Sequence, residues 1–133
     1  SYTGTCDVTV DDITWNVMGN ATMQPWRVGG KSLTGADRTV YTKTAFAKAL
    51  TKIDLTVGGA SSITVNSLAL VYSTSDDFSN AKTISKDFVA NSTISFAADF
   101  PAGCYYKFVL NVTVSGTSNK FVEFKKVEFW GIK

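Results

Sequence analysis

Apolar and polar residues alternate along most of this chain, a pattern typical of β-strands with one buried face. The alternation is clearest in YYKFVLNVTV, residues 105–114, where the polar parity is broken only by Val109. The other parity is an unbroken apolar row of Tyr106, Phe108, Leu110, Val112 and Val114. We therefore predict a strand here whose five apolar side chains point into a core.

Several shorter segments follow the same rule. In LTKIDLTV, residues 50–57, one face carries Ile53, Leu55 and Val57, and the other carries Lys52, Asp54 and Thr56. ITVNSLALVYS, residues 63–73, is apolar on both faces, which favours a position inside a sheet. Further strands are predicted for residues 38–44, around Ile84 and around Phe96.

The closing segment FVEFKKVEFWGI, residues 121–132, changes parity in the middle. Val122 and Phe124 share one parity, whereas Val127 and Phe129 share the other. An extra residue at Lys125-Lys126 would let all four point inward, so we predict a β-bulge there.

Turn signals separate these segments, at GG 58–59, SDD 75–77, PAG 101–103 and SGTSN 115–119. The one helix-like window, TAFAKAL at 44–50, is long enough for a single turn. About eight short strands at this spacing predict an all-β fold, an antiparallel β-sandwich of the jelly-roll type. We expect residues 1–133 to form one domain.

Composition narrows the function classes. With 44% apolar residues among 133, the chain can bury a core without a metal or a disulfide. The net charge of +2 is scattered, which argues against nucleic-acid binding, and no apolar run is long enough for a membrane-spanning helix. The charged fraction of 18% is low for a cytosolic enzyme and ordinary for an extracellular β-domain. We expect Ser1 to mark either a trimmed chain or a domain cut from a longer chain.

The two cysteines, Cys6 and Cys104, leave two alternatives open. They form a disulfide between an early and a late strand, as a secreted protein permits, or they are two separate buried thiols. The chain contains no histidine, and two cysteines alone argue against a zinc site.

The sequence contains no catalytic constellation. Without histidine, neither a Ser-His-Asp nor a Cys-His nucleophile pair can form. VGGKS at 28–32 resembles the end of a phosphate-binding loop, but Pro25 occupies the position of the required first glycine. A hydrolase that uses paired carboxylates remains the remote enzymatic hypothesis. We predict a protein that is not an enzyme.

The segment MQPWRVGGKSLTG, residues 23–35, follows no strand or helix pattern and is predicted to be a glycine-hinged loop. Flat aromatic rings stack on the C–H faces of sugars, and amide and cationic side chains bind the hydroxyl groups. The predicted ligand-binding residues are Asn20, Trp26, Arg27, Lys31 and Tyr41. The alternative is that Trp26 fills the open end of the sandwich and Arg27 pairs with Asp37 or Asp54. Trp130 is expected in the core or at an inter-domain contact.

Acidic turns offer oxygen ligands for a structural calcium ion. The candidate ligands are Asp11, Asp12, Asp76 and Asp77. The alternative is that these aspartates only hydrogen-bond the backbone of their own turns.

The order of motifs along the chain carries a family resemblance. The motifs are ITWNVMGN, PWRVGGKS, DRTVYTKTAF, LTKIDLTVGG, VNSLALVYSTSDDFS and FPAGCYYKFVLNVTVSGTSNKFVEFKKVEFWG. Together they cover nearly the whole chain and resemble galactose-binding-like β-sandwich modules found in secreted or surface proteins of gut Bacteroidetes. The resemblance implies a jelly-roll accessory domain outside the cytoplasm, attached to neighbouring domains of a larger chain.

Two functional hypotheses follow. The first is a non-catalytic carbohydrate-binding module that binds a glycan or polysaccharide by aromatic stacking and polar loop contacts. The second is a structural accessory domain that docks its neighbours and has no small-molecule ligand. Carbohydrate binding is common for the fold that the resemblance implies, but a fold alone does not establish it.

Overall fold

The computed structural model describes residues 5–22 and 24–131 of the chain, and these residues form ten β-strands and no helix. Every strand pairing is antiparallel. The strands are β1 Thr5–Val10, β2 Ile13–Asn20, β3 Trp26–Gly30, β4 Leu33–Thr42, β5 Leu50–Val57, β6 Thr64–Ser73, β7 Lys82–Lys86, β8 Thr93–Phe100, β9 Tyr105–Val114 and β10 Lys120–Gly131.

The strands form one continuous path in the order β7-β6-β9-β4-β2-β3-β10-β5-β8, with β1 paired to β2. The path folds back on itself, because rings of β9 contact rings of β8 and β10 across the core. Phe108, for example, lies 5.8 Å from Phe96 and 5.9 Å from Phe124 between ring centroids. The predicted all-β antiparallel sandwich is therefore confirmed, while the finer jelly-roll, galactose-binding-like description stays a prediction.

The alternation rule predicts the core well. All five inward residues of β9 are at most 1% exposed, and Ile53, Leu55 and Val57 of β5 are likewise buried. In β10 the register against β5 shifts between Phe124 and Lys126, which confirms the predicted bulge. Val122 and Phe124 are buried, and Val127 and Phe129 pack against the same core. The last residue of the predicted 121–132 strand lies outside the described residues.

The helix-like window at residues 44–50 forms no helix. Phe46 instead pairs with Cys104 as an isolated bridge, in which Phe46 N donates to Cys104 O at 2.9 Å. The Phe46 ring then packs against Tyr106 at 5.3 Å and Phe129 at 4.3 Å between centroids. This segment closes one end of the sandwich with aromatic rings rather than with a helix.

Both cysteines are free thiols, so the structure follows the second alternative for them. Cys6 on β1 is half-buried and Cys104 is buried. Burial raises the pKa of the Cys104 thiol, which keeps it protonated and unreactive at neutral pH.

The predicted loop at residues 23–35 is wrong for most of its length. Residues 26–30 form β3, which lies inside the sheet between β2 and β10. Gly29 serves close backbone approach there and not a hinge, because a Cβ on it would collide with the carbonyl oxygen of Lys120. The real turn between β3 and β4 consists of Lys31 and Ser32.

We expect Gly29→Ala to lower the free energy of unfolding by at least about 2 kcal/mol, because the collision involves backbone atoms that cannot move aside. Gly59→Ala is the matched control, since a Cβ on Gly59 would meet nothing within 4 Å. That control should change stability by less than about 0.5 kcal/mol. Urea titrations of both variants measure the difference. Equal stabilities would contradict the close approach of β3 and β10.

Candidate functional site

The predicted ligand-binding residues do not converge on one surface. Asn20 and Arg27 are direct neighbours across the β2–β3 pairing. The Asn20 side-chain oxygen is engaged locally, since it accepts hydrogen bonds from the backbone N and the hydroxyl of Thr22 at 2.9 and 2.6 Å. The Arg27 guanidinium lies 4.5 Å from the centre of the Phe121 ring. Asn20 and Arg27 are therefore adjacent, and the side chain of each contacts a nearby residue of the protein.

Trp26 faces the opposite side of β3 from Arg27 and is only 8% exposed. Its ring packs edge-on against Trp15, with centroids 5.6 Å apart and planes at 66°. The structure thus follows the alternative in which Trp26 fills the sandwich. The loop prediction required a ring face that is open to a sugar, and the ring face of Trp26 is not open.

Lys31 and Tyr41 lie apart from that pair. Lys31 is exposed in the β3–β4 turn. Tyr41 is half-buried on the outer face of β4, with its ring 6.0 Å from Phe78 and the Lys107 ammonium 5.7 Å above it. The same ammonium lies 4.2 Å from the Phe78 ring centre. Tyr41 therefore helps hold the β6–β7 loop onto β4 and β9.

The acidic turns have local roles. Asp11 and Asp12 form the two-residue turn between β1 and β2, with φ of 51° and 66°. Two consecutive positive φ values are what a tight type I′ hairpin requires, and Asp tolerates them. In the β6–β7 loop, Asp77 accepts hydrogen bonds from Ser75 Oγ at 2.7 Å and Ser79 N at 2.9 Å, which lower its pKa.

Asp76 is exposed in that same loop. Within residues 5–22 and 24–131, no three acidic or cysteine residues come together as a metal cluster. The predicted calcium ion stays a prediction, and each turn has a sufficient structural reason for its aspartates without it.

The large aromatic side chain that does face solvent is Trp130, which is 47% exposed. The expected core position is therefore wrong, and the alternative of an inter-domain contact stays a prediction. The bulge lets Val127 and Phe129 point inward. Their neighbours Glu128 and Trp130 therefore face outward. Trp130 therefore lies on the outer face of β10, directly opposite Lys52 of β5.

A carboxylate on the neighbouring strand holds the Trp130 ring in place. The indole Nε1 donates to Asp54 Oδ2 at 3.2 Å, and Ser95 Oγ donates to Asp54 Oδ1 at 2.6 Å. The Lys52 ammonium lies 3.5 Å from Asp54 Oδ2 and 4.9 Å from the indole ring centre. Asp54 is only 8% exposed although it is on the outer face, because these three side chains cover it.

We call this arrangement the Trp130 face, and it consists of Trp130, Lys52, Asp54, Ser95 and Glu128. Glu128 lies opposite Asp54 in the β5–β10 pairing and forms an exposed ion pair with Lys126 at 3.3 Å. The face therefore combines one aromatic ring, fixed by hydrogen bonding, with hydroxyl, carboxylate and ammonium groups at its edges. Such a surface can stack a flat apolar ring face and bind hydroxyl groups around it.

A second feature is a pocket of about 200 Å³ beside Trp26, at the N-terminal end of β3. Strand β3 begins at Trp26, opposite Phe124, and from there to its own C-terminal end β10 pairs with β5 alone among the described residues. The pocket opens at this place and is lined by Val10, Trp15, Gln24, Trp26, Phe124, Lys125, Lys126 and Val127. Five of these eight lining residues are apolar, and Gln24, Lys125 and Lys126 are the polar ones.

Comparison with known proteins adds no family to this description. No protein-family model and no curated protein matches the chain. In the described part of the chain, no helix is long and apolar enough to cross a membrane. The functional argument therefore rests on the two surfaces just described.

We expect Asp54→Ala to release the Trp130 ring. Loss of the carboxylate should speed exchange of the Trp130 indole proton with water and lower the free energy of unfolding by about 1–2 kcal/mol, since its hydrogen bonds are partly buried. NMR exchange measurements on the indole N–H and urea titrations test both effects. Ser95→Ala is the control, because it removes one partner of Asp54 and leaves the indole bond intact. Unchanged indole exchange in Asp54→Ala would contradict the anchoring role.

Proposed function

We propose that this domain is a non-catalytic carbohydrate-binding module of a secreted or cell-surface protein, and that glycan binds at the Trp130 face. The observation that carries the proposal is a solvent-exposed indole ring fixed to the outside of a β-sheet. Trp130 as a whole is 47% exposed, so part of its indole ring is open to stack on a ligand.

The geometry of the Trp130 face supports a sugar as that partner. A pyranose ring presents C–H groups on one face and hydroxyl groups at its edge. The indole supplies the apolar contact, while the carboxylate of Glu128 and the ammonium of Lys52 can bind hydroxyl groups beside it. The ring is already positioned before binding, because its N–H is bonded to Asp54, so little conformational entropy is lost on stacking.

This site differs from the one expected from sequence. The stacking residue is Trp130 on a sheet face, whereas Trp26 was expected to stack from an end loop. A surface of this kind, with few converging groups, should bind weakly, with dissociation constants of about 1 mM to 1 µM. Extended polysaccharides that lie across the sheet suit it better than a small molecule that needs enclosing walls.

Affinity electrophoresis in gels containing soluble polysaccharides tests the proposal. We expect the parent protein to be retarded by at least one polysaccharide, and Trp130→Ala to bind about tenfold more weakly or worse, as loss of an aromatic stacking contact of about 1.4 kcal/mol predicts. Trp130→Tyr should retain part of the affinity. Both variants should stay folded, with a free energy of unfolding lowered by about 1 kcal/mol, because they lose the indole hydrogen bond to Asp54 but no core contact.

Tyr41→Ala is the matched control, since Tyr41 is a partly exposed aromatic residue on the opposite layer. It should bind like the parent. If Tyr41→Ala loses affinity and Trp130→Ala does not, the site is misplaced. If no polysaccharide retards the parent, glycan binding is wrong and the docking of a neighbouring domain on the Trp130 face becomes the better explanation.

A further inference from the structure

The pocket beside the end of β3 has a character different from that of the Trp130 face. Its walls are contributed by the side chains of two tryptophans, Phe124, Val127 and Val10. Val10 at its edge is 41% exposed, although a valine in a strand normally faces a core. An apolar pocket with an exposed apolar edge is the kind of surface that is covered when a ligand binds.

The polar groups of the pocket are few. Gln24 supplies one amide, and Lys125 and Lys126 supply exposed ammonium groups. Lys126 is already 3.3 Å from Glu128. A monosaccharide carries several hydroxyl groups that would need partners inside the pocket, and this lining cannot supply them, so the pocket is unsuited to a sugar.

One lining residue, Trp26, carries a polar group that lacks a partner. The indole Nε1 of Trp26 is buried and donates to no oxygen or nitrogen among the described residues. A buried donor without an acceptor is uncommon and costs free energy. The N–H lies beneath the pocket surface, so the indole must turn before it meets an acceptor in the pocket, and it breaks no hydrogen bond when it turns.

We propose that this pocket binds a small ligand consisting of one apolar ring and a single oxygen acceptor, and that the acceptor pairs with the Trp26 indole N–H. The volume of about 200 Å³ matches a single substituted ring, since a cavity of about 150 Å³ lined by apolar side chains accommodates benzene. The ring packs against the apolar walls, and the oxygen satisfies the one buried donor. This site is independent of glycan binding at the Trp130 face.

Acetophenone and ethylbenzene are the probes that test the proposal. They have nearly the same size and shape, but only acetophenone carries a carbonyl oxygen. The readout is the indole N–H region of a nitrogen-15 NMR spectrum, where the three tryptophans give separate signals and Trp26→Phe identifies the signal of Trp26. We expect acetophenone to shift the Trp26 signal saturably, with a dissociation constant on the order of 1 mM.

Ethylbenzene should bind at least about fivefold more weakly, because it leaves the indole N–H without an acceptor. Val10→Phe places a ring at the edge of the pocket and should weaken acetophenone binding about tenfold. Val89→Phe is the matched control, since Val89 is an exposed valine, 56% accessible, that does not line the pocket. It should bind acetophenone like the parent.

Three results would overturn the proposal. The first is no saturable shift of the Trp26 signal with acetophenone. The second is equal affinity for the two probes, which would show that the carbonyl oxygen does not contribute to binding. The third is equal binding by Val10→Phe and the parent, which would place the ligand elsewhere. Because these readouts involve Trp26 and not Trp130, failure here and failure of glycan binding are distinguishable.

Discussion

The β-bulge between Phe124 and Lys126 determines which side chains the closing strand offers to the core and which to solvent. Before the bulge, Val122 and Phe124 point inward. After it, Val127 and Phe129 do so, although they have the other parity. Without the extra residue, a strand of twelve residues would have to expose one of these two apolar pairs.

Both candidate surfaces follow from this one irregularity. The parity change places Trp130 outward, beside Glu128 and opposite Lys52. The bulge also lies beside Trp26, the first residue of β3. Beyond Phe124, the only strand paired with β10 in the described structure is therefore β5. The pocket forms at that junction, and three of its lining residues are Lys125, Lys126 and Val127.

Much of this arrangement could be predicted from sequence, because alternation is a local signal. The buried row of β9 and the bulge in β10 were both evident from parity. Consistent use of the bulge would also have placed Trp130 on the outer face, since Trp130 is one residue beyond the inward Phe129. The expectation of the core or an inter-domain contact came from its place in the alternating last strand, and parity counted through the bulge was the better guide to its outward orientation.

The part that sequence could not provide depends on contacts between distant residues. Gly29 and Gly30 looked like a loop because glycine is common in turns, yet Gly29 is needed where β3 passes close to Lys120, ninety-one residues further along the chain. Burial of Asp54 is equally nonlocal. Its outward parity was correctly predicted, but its cover comes from Trp130 and Ser95 on two other strands.

The hydrogen-bonding state of each indole separates the two surfaces in function. The Trp130 N–H is hydrogen-bonded to Asp54, so that ring is held in place. What it offers to a ligand is its exposed apolar area. The Trp26 N–H is buried without an acceptor, so that ring has an unused directional donor and little exposed area. A fixed exposed ring discriminates poorly between ligands with flat apolar faces, which suits a repetitive polysaccharide. A buried unpaired donor strongly favours ligands that carry an acceptor. A ligand without an acceptor leaves the donor unpaired, and the free-energy cost of burying that donor remains. The two proposed sites would therefore favour different ligand classes even though both tryptophans are contributed by strands of the same layer.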